Sequence, residues 1–350
     1  MRPHPGFAVG VTLRLLIVLA ATLLPLRGIA SVDPTPDAAF VMDARTGQVL
    51  LSENAEARLH PASLTKMMTL YIAFAALEQG EIALPSRVAV SPRAAATGGS
   101  RLHLKAGQEI AIEDLILGVA IRSANDAAVA LAEAIAGSEA AFVSRMNDMA
   151  ASMGLTGTAF RNAHGLTAPG HLSTARDMSV LGRRLLLEFP EHAGIHARLD
   201  AVANGHRIVH TNRRFLSGYA GADGIKTGFT RAAGFTLTAS AMRGEKHVIV
   251  TILGAESSAA RAAKAARLMN WAFERIPDGV ARVPLAPLTG DAPTPAGAAG
   301  LLVRARPLFD HAAQAPSVPA PPGGIALSGL QAIRPSALAP AHGAVDLGAF

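Results

Sequence analysis

The sequence contains no cysteine. That excludes a thiol nucleophile, a disulfide framework and any Cys-ligated zinc or iron–sulfur site. Stability must then come from a packed core. Tyrosine and tryptophan number only three together, and no basic patch is interleaved with aromatic rings, so nucleic-acid binding has no support. The 12 histidines show no HExxH or similar ligand spacing, and neither a metal nor a cofactor is expected. Lysine is scarce as well, since only 5 of the 32 basic residues are lysines. Arginine serves equally well as a solvated charge but cannot act as a base, so each lysine raises the question of what its amine does.

What is present is apolar. Half of the 350 residues are hydrophobic, enough for a sizeable core and about two domains by length. Residues 1–30 read as a secretory signal. Arg2 opens them, a short apolar run follows from Leu15 to Leu26, and small residues stand at Gly28 and Ala30. The run is too short to span a bilayer as a helix, and an uncleaved anchor is the alternative. The chain is therefore expected to be exported, to the periplasm or cell envelope. Removing this segment takes away Arg2, Arg14 and Arg27 and lowers the net charge from +6 to +3.

Alternation predicts two strands around the turn "DARTG" within Ala38 to Asn54. A densely apolar helix should run from Ser63 to about Glu78, close at Gly80 and lie buried. Helical periods follow over Ile112 to Ile121, Asp126 to Gly137, Ser138 to Gly154 and Ser173 to Phe189. Then β-branched alternation returns over Gly234 to Arg243 and His247 to Gly254, joined by "GEK" as a hairpin. A last helix covers Ser258 to Phe273. Strands, many helices, strands, helix is an α+β order, with an antiparallel sheet assembled from both ends of the domain. The expected boundaries are a signal at 1–30, a catalytic domain at 31–278 and a tail at 279–350. Residues 281–350 hold 11 of the 22 prolines and neither Lys nor Glu, so the tail is expected to lack a fixed core and shows no amphipathic membrane anchor.

Three short elements carry chemistry. Ser63 and Lys66 in "SLTK" stand three apart at a helix start and share a face. A serine needs a base, and a lysine serves only when held neutral by burial or a second cation. A capping serine beside a solvated lysine has the same spelling, and five lysines among 19 serines give roughly 0.3 chance matches per chain. Ser123 and Asn125 in "RSAND" lie in a break between helices, where one could relay a proton and the other hold a substrate amide; either could instead be a cap. Lys226, Thr227 and Gly228 in "DGIKTGFT" begin the strand hairpin. They supply a positive charge, a hydroxyl for a carboxylate and room for a substrate backbone, or else form an ordinary turn.

Each element is weak alone; their order makes the signal. Together with "SANDAAVALAEAIAGSEAAFVSRMN", "HGL" and "STARDM", they resemble the low-molecular-mass penicillin-binding proteins that are serine D-alanyl-D-alanine carboxypeptidases. The likeness covers about residues 35–275. It implies the penicillin-binding protein/β-lactamase-like transpeptidase fold: a five-stranded antiparallel sheet flanked by helices, plus an all-helical subdomain. It further implies that Ser63 is acylated, Lys66 is its base, and Ser123 belongs to the catalytic set. Asn125, Lys226, Thr227, Gly228 and Phe229 would contact substrate, with the N–H groups of Ser63 and Phe229 as oxyanion hole. Peptidoglycan stem peptides would be substrates and β-lactams covalent inhibitors; oligomeric state is left open. His164 and Arg176 are expected to order a loop and to make an ion pair. Some relatives carry an arginine after a Gly-Gly on the last strand; here "LGAESSAAR" has Glu256, which leaves Thr227, Arg231 or Arg261 to bind a carboxylate. A D,D-endopeptidase, a β-lactamase and a non-catalytic wall-binding protein of the same fold are the rivals.

Overall fold

The computed structural model describes residues 37–289. They lie in the larger of two compact units, Met1–Asp310. The second unit, the expected signal at 1–30 and the rest of the tail lie outside the described residues.

Nine strands and five longer helices make up the body. The strands are β1 (Ala38–Asp43), β2 (Val49–Glu53), β3 (Arg87–Ala89), β4 (Glu109–Ala111), β5 (Asp200–Ala203), β6 (His206–Val209), β7 (Ala222–Thr230), β8 (Gly234–Arg243) and β9 (Lys246–Ala255). The helices are α1 (Lys66–Glu78), α2 (Asn125–Ala136), α3 (Glu139–Ser152), α4 (Ala175–Glu188) and α5 (Ser258–Phe273). Five strands form one antiparallel sheet in the order β2-β1-β9-β8-β7. β1 meets β9 with Ala38 opposite Leu253 and Asp43 opposite Val248. The sheet therefore joins the two ends of the domain, as the element order implied. The ribbons β3–β4 and β5–β6 were not expected, because strands of three or four residues leave no readable alternation.

Both faces of the sheet are covered. Val248 and Val250 pack with Ala265, Met269 and Phe273 of α5, while Ile249 and Leu253 join the helical core with Met178, Leu181 and Leu185 of α4. Alternate residues of β9 thus serve opposite faces, and the strand reads as one apolar run because it is buried twice. α1 is buried from Lys66 to Ala76, as its all-round apolar sequence predicts. Three helices start on side-chain caps. Ser138 Oγ accepts from Ala141 N–H, Thr174 Oγ1 from Asp177 N–H and Ser257 Oγ from Ala260 N–H, each typically stabilising by about 1 kcal/mol.

Two expectations are corrected. The helix predicted over Ile112 to Ile121 is α-helical only to Leu117, then widens into one π turn at Gly118–Arg122. Ser123 follows in the left-handed region at φ 61°. The tail, expected from 279 to lack a fixed core, docks on the domain over its described residues, 279–289. Val283 N–H donates to Arg45 O, Arg183 donates to Val283 O, Arg184 to Ala286 O and Thr289 N–H to Ser152 O, and Leu288 packs on the core. Proline-rich composition hid this strap because its partners are backbone groups and two buried arginines. A chain ending at 278 leaves those guanidinium groups short of acceptors, at a cost of about 2–3 kcal/mol. It is expected to melt about 5–10 °C below a chain ending at 289; equal melting temperatures in calorimetry would show that the strap contributes nothing.

Candidate active site

Ser63 sits half-buried on a 3₁₀ turn, Ala62–Thr65, that feeds directly into α1. The turn is clamped from three sides. Thr236 Oγ1 of β8 donates to Pro61 O at 3.1 Å. His171 and Thr65 Oγ1 are 2.8 Å apart through the ring Nε2. The loop at Gly165 presses on Ala62, so closely that a Cβ there would lie 1.9 Å from Ala62 O, and Gly165 has φ +88°. Only glycine fits that approach.

Lys66 begins α1 and is wholly buried. Its Nζ contacts Asn125 Oδ1 at 2.6 Å, His164 O at 2.5 Å and Ser63 Oγ at 3.2 Å. A neutral amine has two N–H bonds and one lone pair. The two carbonyl oxygens can only accept, so they take both N–H bonds and leave the lone pair for the Ser63 hydroxyl. Burial holds the Lys66 pKa well below the usual lysine range, with the positive charge of Lys226 as the second cause. Asp126 pulls the other way, but its carboxylate accepts from Leu102 and Leu104 N–H. Desolvation ranks ahead of the Lys226 charge.

The break before α2 presents the second element. Ser123 is buried and its Oγ has no partner among the described residues. An unpaired buried hydroxyl costs about 1–3 kcal/mol, and the left-handed backbone adds strain. Both are tolerated at an element poised to meet a ligand. Asn125 spans the cleft floor, accepting from Lys66 and donating to Gly98 O at 2.7 Å. One N–H of its amide stays available to a substrate.

The third element lies on β7 at the sheet edge. Lys226 is fully buried, donates to Thr227 O at 2.9 Å, and is lowered to about 7 by burial and then by Arg261. Thr227 Oγ1 donates to Thr211 Oγ1 at 3.0 Å. Gly228 lies against the nucleophile turn: a Cβ would meet Ser63 N at 2.7 Å. This brings the Ser63 and Phe229 backbones to one wall. Phe229 is 57% exposed and leans on Phe235, ring centroids 4.4 Å apart.

Ser63, Ser123, Asn125, Thr227, Gly228 and Phe229 line one cleft of about 320 Å³. Arg261, on α5, lines it too and donates to Thr236 O at 3.1 Å. Of the three carboxylate candidates, Thr227 and Arg261 therefore stand at the cleft, and the exposed Arg231 does not. His164 and Arg176 behave as expected. His164 Nδ1 accepts from Leu166 N–H, and burial followed by the Lys66 charge lowers its pKa to about 3. Arg176 pairs with Glu56 and Asp177. Sequence reading missed His171, whose partner Thr65 lies more than a hundred residues earlier, and Thr211. Among the described residues no group of three or more His, Asp or Glu converges on one point.

Comparison with known proteins agrees with this geometry. The family model described as D-alanyl-D-alanine carboxypeptidase matches residues 29–257. The carboxypeptidase DacC of Escherichia coli is 42% identical over 240 residues, covering 67% of this chain and 60% of that protein. DacF of Bacillus subtilis is 38% identical, covering 68% and 62%. The chain thus spans about three-fifths of the length of these curated relatives. Among solved structures, penicillin binding protein 5 from Haemophilus influenzae superposes with a TM-score of 0.65 at 34% identity, covering 68% of this chain and 70% of the other. Penicillin-Binding Protein D2 from Listeria monocytogenes, in its ampicillin-bound form, gives 0.62 at 30% identity, covering 67% and 96%. A buried lysine opening α1 beside a serine on the preceding turn, a strained serine facing them and a lysine-bearing sheet edge stand in the order the family model spans, and the chain belongs to the D-alanyl-D-alanine carboxypeptidase family.

Proposed function

We propose that this chain is a serine D-alanyl-D-alanine carboxypeptidase of the cell envelope, exported and acting on peptidoglycan stem peptides, with β-lactams as covalent inhibitors. The observation that carries the reading is the fully buried Lys66 amine, 3.2 Å from Ser63 Oγ and otherwise facing only the carbonyl oxygens of Asn125 and His164.

Lys66 takes the Ser63 proton as Oγ attacks the carbonyl of the penultimate D-Ala. The carbonyl oxygen gains the charge and is met by the N–H groups of Ser63 and Phe229. The C–N bond breaks, and the proton on Lys66 passes to the leaving nitrogen through the unpaired Ser123 hydroxyl. Free D-Ala departs. Water then attacks the ester, Lys66 again taking the proton and returning it to Ser63 Oγ. Thr227 and Arg261 hold the terminal carboxylate, while Lys226 adds positive potential. Asn125 and the β7 edge at Gly228 hold the peptide backbone. No step calls for a metal or cofactor.

Mass detection of product from a pentapeptide ending in D-Ala-D-Ala tests this. One free D-Ala per peptide is expected. No release from that peptide, with cleavage of a cross-linked dimer instead, would replace carboxypeptidase by endopeptidase.

A further inference from the structure

A second cleft, of about 650 Å³, opens beside the reactive one. Arg101, His103, Lys105, Arg122, His206 and Arg207 line it, and no carboxylate does. Arg207 pairs with Asp200 at 2.5 Å. Arg101, Lys105 and Arg122 have no ion-pair partner among the described residues, and Arg101 Nε is buried without a hydrogen bond. Unneutralised cations around one concavity repel each other and focus a positive potential into it.

The walls are fixed. Asp126 holds Leu102 and Leu104 by their N–H groups. Those two side chains are buried, whereas His103 and Lys105 between and beside them are exposed. Gln108 Nε2 donates to Asn204 Oδ1 at 2.6 Å, tying this loop to the turn of the β5–β6 ribbon. The cationic groups are therefore presented by a pre-set frame, not by a loose surface.

The two clefts share one partition. Ser100 and Ser123 line the reactive cleft, while their neighbours Arg101 and Arg122 line the basic one. Ser100 Oγ donates to Arg122 O at 2.7 Å across the partition. An extended peptide advances about 3.5 Å per residue, so a chain held at Ser63 reaches the basic cleft within a few residues.

We infer that the basic cleft is a subsite for carboxylate-bearing peptide contiguous with the scissile D-Ala-D-Ala unit. This rests on the carboxypeptidase reading. Acidic peptide beyond the cleaved bond neutralises Arg101, Lys105 and Arg122, and the enzyme selects for it by charge.

Two synthetic peptides ending in D-Ala-D-Ala, one with two upstream Glu residues and one with Gln in their places, provide the test. At low salt the wild type should show about tenfold higher kcat/KM on the acidic peptide, and added salt should erase the difference. The triple variant Arg101→Gln, Lys105→Gln, Arg122→Gln should lose the preference, while its rate on the neutral peptide and its penicillin acylation stay within about twofold. If the triple variant melts early, Lys105→Gln alone, at an exposed side chain, should lower the preference about threefold. Equal rates on both peptides in the wild type, or an unchanged preference in the variants, would overturn the subsite. Penicillin labelling keeps the two ideas apart: an unlabelled wild type sinks the catalytic reading, whereas normal labelling with no charge preference sinks only the subsite.

Discussion

Ser63→Ala is expected to abolish covalent labelling by fluorescent penicillin and to lower D-Ala release by about 10⁴-fold. The expectation follows from who else could react. Within reach of the Lys66 amine stand one hydroxyl oxygen, from Ser63, and two carbonyl oxygens, from Asn125 and His164. Removing the hydroxyl leaves the base with nothing to deprotonate. Ser63 is half-buried and its side chain makes no other hydrogen bond among the described residues, so the fold should change by less than about 1 kcal/mol. A melting curve matching the wild type, with no labelled band, is the predicted pair of results. Equal labelling in the two proteins would remove Ser63 as nucleophile and turn attention to Ser123, another serine lining the cleft.

Lys66→Arg separates charge from basicity at the same position. The substitution keeps a long side chain with N–H donors but removes any group able to take a proton near neutral pH. Acylation by penicillin should fall about a thousandfold, the usual size of a general-base contribution. Acylation within about tenfold of wild type would exclude Lys66 as the base. The wild-type pH profile adds a sign check. Below its lowered pKa Lys66 carries a proton and cannot accept another, so the rate should fall as pH drops through that value. Lys226, lowered to about 7, loses its charge as pH rises, so carboxylate binding should weaken on the alkaline side. A bell is expected, and Lys226→Arg should move only its alkaline limb upward. Loss of the acid limb in that variant would show that the assignments are exchanged.

The legible parts of this sequence were those with local causes. The apolar run of α1 and the alternation of β8 and β9 each act within a few residues, and these elements stand within a few residues of where the pattern placed them. The reactive residues were legible for a different reason: three short elements of fixed spelling occur in one order. The illegible parts are all long-range. Nothing in "HLSTARDM" says that His171 will brace Thr65, more than a hundred residues earlier. Arg183 and Arg184 read as solvated charges on α4, yet they hold the strap at Val283 and Ala286. The π turn before Ser123 is equally silent, because "ILGVAIR" has an ordinary helical composition. It exists because Thr211 N–H and Ala124 N–H claim the carbonyls of Ile121 and Gly118, and those partners come from outside the helix.

The pairing of β1 with β9 has a consequence for how the molecule is made. Residues 38–43 find one partner nearby in β2 but the other only at 248–253, and long-range pairing of this kind forms late. A chain still emerging from a ribosome or an export channel has its first strand and nucleophile available, but not the strand that seats them. Lys226, which helps hold Lys66 neutral, also comes late. On the mechanism proposed above, an incomplete chain therefore presents Ser63 without a working base. It would be inert towards both D-Ala-D-Ala and penicillin until the last third of the domain has joined the sheet, so penicillin labelling reports completed synthesis as much as it reports chemistry.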